Sequence, residues 1–133
     1  PATVLRNAIR PDPPANATQL AFATRFEERF GAAPEPRTRL AYGIAIRSQG
    51  LAVTPSLSTL RYNLSGRATY RVLDMQDGAV LTRGRFESFA SYSAIGTTVA
   101  TRASRQDAED RLGVILADGV AAQLISSAEA WAP

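Results

Sequence analysis

The chain has 133 residues with fifteen basic and twelve acidic side chains, a net charge of +3 at pH 7. That length buries a real core in a single domain spanning 1–133, and no apolar run approaches the ~20 residues of a membrane-crossing helix. There is no cysteine and no histidine, and every basic residue is arginine, which excludes disulfides, thiol nucleophiles, Schiff-base lysines, ordinary zinc sites and the commonest general base.

Ala2 to Ile9 reads as a short strand, closed by Arg10-Pro11-Asp12-Pro13-Pro14, whose prolines exclude that linker from a ladder. Asn16 followed by Gln19 has the spacing of a capping box and opens a helix. Leu20, Ala23, Phe26, Glu27 and Phe30 keep helical spacing, Phe22, Phe26 and Phe30 recur at i, i+4, and Gly31 is the natural stop. The phenylalanines read as core. After the loop at 32–36, Leu40, Tyr42, Ile44 and Ile46 alternate with Arg39, Ala41, Gly43, Ala45 and Arg47, a strand with its arginines on the wet face. Ser48-Gln49-Gly50 reads as a bulge or bend, Leu51 and Val53 extend the strand, and Thr54-Pro55-Ser56 turns the chain.

Arg61 to Tyr92 carries the strongest pattern. Tyr62, Leu64, Ala68, Tyr70 and Val72 occupy even positions, while Arg61, Asn63, Ser65, Arg67, Thr69 and Arg71 occupy odd ones. The return run keeps that parity, with Val80, Phe86, Ala90 and Tyr92 even and Arg83, Arg85, Glu87 and Ser91 odd. Period-2 alternation makes a hairpin with one buried and one wet face. A two-residue loop at Asp77-Gly78 would pair even with odd positions and mix the faces, which a half-buried sheet cannot tolerate. A three-residue loop, Gln76-Asp77-Gly78 with Gly78 left-handed, preserves parity. It pairs Tyr70 with Gly84, Ala68 with Phe86, Leu64 with Ala90 and Arg67 with Glu87. Ser104 and Asp107 then resemble a second helix start, with Asp107, Glu109 and Asp110 favourable near its positive end. Ala108, Leu112, Ile115, Leu116, Gly119, Val120 and Leu124 form its apolar stripe, which runs to about Ile125.

These elements predict an α+β two-layer sandwich of order β-α-β-β-β-α. Both helices cover one face of a four-stranded mixed sheet that is mostly antiparallel, with strands one and two parallel. The other sheet face stays open and carries Arg39, Arg47, Arg61, Arg67, Arg71, Arg83 and Arg85. No catalytic constellation is visible, so we expect no enzyme, no metal and no cofactor. Asp74 and Asp77 suit local hydrogen bonds in a turn, and Ser88, Ser91 and Ser93 lack a histidine or lysine partner. Gly66 and Gly84 in mid-strand make room for a neighbour's ring. A nucleic-acid module would stack bases on aromatics of the open face. Only Phe89 lies among the arginines, so no nucleic-acid partner is expected. The arginine-only composition has two readings at this point, coding bias or bidentate recognition of phosphate and carboxylate groups.

Leu64-x-Gly66-x-Ala68-x-Tyr70-x-x-x-Asp74, then Asp77-Gly78-x-Val80-Leu81-x-x-Gly84, then Ser91-Tyr92-Ser93 and Ala100, then Asp107-Ala108-x-x-Arg111-Leu112 and Leu116-Ala117, resembles the LPS-assembly lipoprotein LptE family in its alphaproteobacterial form. Phe26-Glu27-Glu28-Arg29-Phe30-Gly31 followed by Arg39-Leu40 is similar to it too. The resemblance implies a lipoprotein on the periplasmic face of the outer membrane, part of the machinery that delivers lipopolysaccharide to the cell surface. It implies a plug and folding partner for the β-barrel protein LptD, able to bind lipopolysaccharide. The family's lipidated cysteine is absent from this sequence, which starts at Pro1 without a methionine. We therefore expect a trimmed N-terminus and a membrane link only through an upstream lipid anchor. Parity, not the family pattern, nominates Arg61, Arg67, Arg71, Arg83 and Arg85 as contacts for lipopolysaccharide or partner. The competing readings are an extracytoplasmic adaptor without lipid contact and, for any single arginine, a solvated charge.

Overall fold

The computed structural model describes residues 5–50, 60–94 and 98–132. A four-stranded sheet of order β1-β2-β3-β4 is built from β1 (Ile9–Pro11), β2 (Thr38–Gly50), β3 (Leu60–Asp74) and β4 (Val80–Ala94). β1 pairs parallel with β2, and the other pairs are antiparallel. Helices α1 (Ala17–Phe30) and α2 (Thr98–Ser126) pack on one face, and a short α3 (Ala128–Trp131) follows. This is the α+β order the periodicity predicts, with α3 added.

The first strand differs from the expectation. Residues 2–4 of the predicted Ala2–Ile9 strand lie outside the described residues, and the pairing segment is only Ile9–Pro11. The stretch before it turns: Asn7 takes a left-handed φ of 58°, its N–H reaches Phe30 O at 2.6 Å, and Leu5 is buried. Pro11 does enter the ladder, opposite Leu40. Asp12 N donates to Leu40 O and Thr38 N to Ala8 O, so even-numbered groups face β2. The missing proline donor therefore falls on the free edge, where it costs no ladder bond.

α1 forms as its sequence dictates. Asn16 Oδ1 accepts from Gln19 N at 2.9 Å, while Gln19 Oε1 accepts from Ala15 N. The first bond satisfies a donor that the helix start leaves unpaired, and the second ties the residue before the cap back to the first turn. Gly31 ends the helix at φ 89°, and any Cβ there would collide with the Asn7 side chain. Phe22, Phe26 and Phe30 are buried and packed ring to ring, and Phe22 also stacks on Tyr42 at 4.6 Å. Leu20, assigned to the apolar stripe from its spacing, is instead 55% exposed.

β2 runs unbroken through Ser48–Gly50, with no bulge there; the proposed extension at Leu51 and Val53 lies outside the described residues. The hairpin register is the predicted one: Tyr70 faces Gly84, Ala68 faces Phe86, Leu64 faces Ala90 and Arg67 faces Glu87. The turn reaches that parity differently. Asp74 N bonds Ala79 O and Gly78 N bonds Asp74 O, a loop longer than three residues. Val72 pairs with Thr82 but Leu73 with Val80, and this shift past Leu81 restores the parity. Gly78 has the expected positive φ of 74°, and Asp74 and Asp77 accept from Gln76 N and Ala79 N. The shift reverses burial beside the turn, where Leu73 is buried and Val80 exposed.

α2 begins much earlier than Ser104. It starts at Thr98, so Ser104 and Asp107 are mid-helix. Asp107, Glu109 and Asp110 do not decorate a helix start; they accept side-chain bonds from Arg111, Arg105 and Gln106, each four residues away. A Ser-x-x-Asp pattern caps a helix only where the backbone before it is non-helical. Here the helix is already running, and Ala108, Leu112, Leu116, Ala117, Val120, Ala121 and Leu124 bury its stripe. Ile115 remains partly exposed. Gly84 does make room for a ring, since a Cβ there would lie 2.5 Å from Tyr70 Oη; Gly66 makes room for Leu112 and Leu116 instead.

Candidate functional site

Both helices occupy one side, so the odd-numbered residues of β2, β3 and β4 form a sheet face that neither helix covers. Arg39, Arg47, Arg61, Arg67, Arg71, Arg83 and Arg85 are all exposed on it. Their neighbours follow from the register. One row across the sheet reads Ala41–Arg71–Arg83, the next Gly43–Thr69–Arg85, then Ala45–Arg67–Glu87 and Arg47–Ser65–Phe89. β2 thus contributes small residues where β3 and β4 contribute arginines. The result is a shallow depression of about 660 Å³ lined by Arg71, Arg83 and Arg85 with Thr69, Gly43 and Asp12.

Ion pairing divides these arginines. Arg67 Nε donates to Glu87 Oε1 at 2.9 Å, and Arg39 Nη1 lies 3.3 Å from Asp12 Oδ2. Arg47, Arg61, Arg71, Arg83 and Arg85 form no ion pair with any described residue. Arg71 and Arg83 lie directly opposite each other, an arrangement of like charges that destabilises an antiparallel pair. The helices behave differently. Arg25 and Arg29 meet Asp118, Arg105 meets Glu109 and Arg111 meets Asp107. The bonds to Asp118 and Glu28 push the Arg25 guanidinium above its ordinary pKa, and the Glu109 bond does the same for Arg105. Positive charge is largely neutralised on the helices and left standing on the sheet.

The five sequence-nominated arginines do not all line one depression. Arg71, Arg83 and Arg85 share a depression. Arg67 sits one row further on with its charge paired. Arg61 is ten residues from Arg71 on the same strand, about 33 Å along an extended chain, and lies outside that depression. The contribution of Asp12 could not be read from spacing, because only the parallel β1–β2 pairing brings it beside Ala41. Phe89 is 66% exposed on the open face and lines a second depression of about 500 Å³ with Arg47, Asn63, Ser65 and Arg67. Its odd parity already signalled that position.

Beneath the first depression, Tyr70 Oη donates to Gln123 Oε1 at 2.7 Å, and Gln123 Nε2 donates to Arg85 O at 3.0 Å. This relay ties α2 to the strand that carries Arg83 and Arg85. Burial raises the Tyr70 pKa. Tyr42, whose hydroxyl donates to Asp12 O at 3.1 Å, is pushed up to about 12, first by burial and then by the nearby Asp12 charge. Both phenols stay neutral donors near pH 7. Among the described residues no group of three acidic, histidine or cysteine side chains is placed to hold a metal ion, and no helix is long and apolar enough to cross a membrane.

No protein-family model and no curated protein matches the chain. Solved structures do. A candidate lipoprotein from Caulobacter crescentus superposes with a TM-score of 0.77 at 17% identity, covering 94% of this chain and 92% of its own. Rare lipoprotein B from Shewanella oneidensis gives 0.61 at 15% identity, with 92% and 94% covered. A minor lipoprotein from Acinetobacter baumannii gives 0.62 at 15%, with 92% and 90% covered. The chain thus shares one fold with three proteins described as lipoproteins, across nearly the full length of each.

Proposed function

We propose that the chain is the folded part of an outer-membrane lipoprotein of the LptE type, facing the periplasm and serving lipopolysaccharide assembly. The fold shared with rare lipoprotein B and two other lipoproteins supports the reading, as do the motifs that resemble the LptE family. The observation that carries it furthest is the arginine charge that no described acid pairs, on the sheet face that no described helix covers. A two-layer sandwich hides one side of its sheet and leaves the other to a partner. A cationic, flat, polar surface suits the water-lined lumen of a barrel and the phosphates of lipid A.

On this reading the chain is a plug and folding partner for the LptD barrel and carries out no chemistry. The lack of histidine, cysteine and lysine agrees with that role. A lipid upstream of Pro1 supplies the membrane link, and nucleic acid is not a partner. The test is co-expression with the LptD of the same organism. A stable complex should co-purify, and repeated failure to recover one from a well-expressed pair sinks the reading. The alternative of an adaptor without lipid contact is separated by lipopolysaccharide binding to the isolated chain. Reversing Arg71 and Arg83 to glutamate should abolish that binding with the fold intact; binding that survives the reversal removes this face from the ligand.

A further inference from the structure

We propose that Arg71, Arg83 and Arg85, with the Thr69 hydroxyl, form a seat for one phosphate monoester at the turn-proximal half of the open face. This rests on the foregoing reading only for the physiological source of the phosphate; the seat itself stands on geometry. Three arginines line one depression of about 660 Å³. Its β2 side is Ala41, Tyr42 and Gly43; the Tyr42 ring stacks on Phe22 in the helix layer, so only the small side chains of Ala41 and Gly43 face the depression from that strand. Thr69 lies between Gly43 and Arg85 in the same row and offers a hydroxyl that no described group engages.

Charge selects the ligand class. Arg71 and Arg83 are held opposite each other by the register, and no acid among the described residues neutralises either of them or Arg85. Asp12, which also lines the depression, directs both carboxylate oxygens at Arg39. A single carboxylate carries one charge and is satisfied by one guanidinium fork. Three forks exceed its needs. A phosphate monoester carries nearly two charges near pH 7 and three terminal oxygens, which match three forks. Arg67 lies in the next row and is excluded because Glu87 already occupies its Nε. Arg61 is excluded by distance. The seat is therefore narrower than the arginine-rich face as a whole.

The experiment uses the whole chain and two phosphate probes, inorganic phosphate and phosphatidylcholine vesicles containing phosphatidic acid, with plain phosphatidylcholine vesicles and an oligoglutamate peptide as comparisons. Binding is followed by the side-chain Nε–H resonances of the arginines and by vesicle co-sedimentation. Arg83→Gln and Arg71→Gln should each weaken phosphate binding by about tenfold, the loss of one charge-assisted pair. Arg61→Gln and Arg67→Gln should leave it within about twofold, the usual reach of a distant or already paired surface charge. Binding of inorganic phosphate identifies a general phosphate seat, and binding of the vesicle alone identifies a headgroup seat; either supports the proposal. It is overturned if neither probe binds, if Arg61→Gln costs as much as Arg83→Gln, or if oligoglutamate binds as tightly as phosphate. Loss of the LptD complex with phosphate binding retained would sink the plug and spare the seat. Retention of the complex without phosphate binding would do the reverse.

Discussion

Replacing Gly84 by alanine tests how the working face is held to the core. The added Cβ would stand 2.5 Å from Tyr70 Oη, 2.8 Å from Cζ and 3.2 Å from Cε1. Tyr70 is buried between strand and helix, so it must retreat by roughly 1 Å to reach ordinary contact. That retreat breaks its 2.7 Å bond to Gln123 and frees the amide that holds Arg85 O. Crowding a packed site costs about 1–3 kcal/mol, and the lost hydrogen bond adds about 1 kcal/mol. Replacing a strand glycine by alanine returns about 0.5–1 kcal/mol through the unfolded chain. The net expectation is a loss of about 1–3 kcal/mol, read as a lower urea midpoint at unchanged m. In a Tyr70→Phe background the same substitution should cost about 1 kcal/mol less, because the hydroxyl that clashes and bonds is gone. Equal losses in the two backgrounds, or an unchanged midpoint for Gly84→Ala alone, would refute the role given to the tyrosine relay.

Arg83→Glu converts the opposed Arg71–Arg83 pair into an attractive one. It should raise stability by about 0.2–1 kcal/mol at low salt, with a gain that shrinks above physiological ionic strength; thermal melts at two salt concentrations check this. Stability should fall as pH rises from about 10 towards 12. The unfolded phenol of Tyr42 ionises near 10 while the folded one holds its proton to about 12, so the unfolded state is favoured across that window. Tyr42→Phe should flatten that part of the pH–stability curve, and an unchanged slope would contradict the burial of its hydroxyl. Trp131, the one tryptophan in the chain, is buried with Nε1 donating to Leu124 O and Ser127 Oγ. Trp131→Ala should cost about 3 kcal/mol. In the intact chain the indole emission should shift to the red at the midpoint seen by circular dichroism; an earlier shift would mean that α3 undocks separately.

Particular elements show why some features were legible from sequence and others were not. Hairpin register could be read because a one-residue slip would have moved Arg71 inward and Val72 outward, and burial forbids that. The length of its turn could not, because a longer loop combined with a one-residue shift past Leu81 leaves the same parity as a short loop without one. The Asn16 cap was legible because proline and alanine precede it. The Ser104 pattern was a decoy, since capping depends on the conformation of the residues before it and that information is not local. The exposure of Leu20 and Ile115 has the same origin: helical spacing defines a stripe, but the width of the stripe that is covered depends on the partner surface.

For function the division is similar. Periodicity alone placed seven arginines on one face, because strand geometry sends alternate side chains to opposite sides whatever the strand packs against. It nominated Arg61, Arg67, Arg71, Arg83 and Arg85 together, since parity records which side a residue faces and nothing about its neighbours. The hairpin register already set Glu87 opposite Arg67, and the tertiary structure decided the rest. Cross-strand pairing realised the expected Arg67–Glu87 contact as an ion pair and set Arg71 against Arg83, while ten residues of strand separate Arg61 from Arg71. The parallel β1 brought Asp12 to the depression and committed it to Arg39. Charge on a sheet is neutralised or left free by residues distant in sequence, so the chain states how much arginine the face carries, and the fold determines which of it remains available to bind.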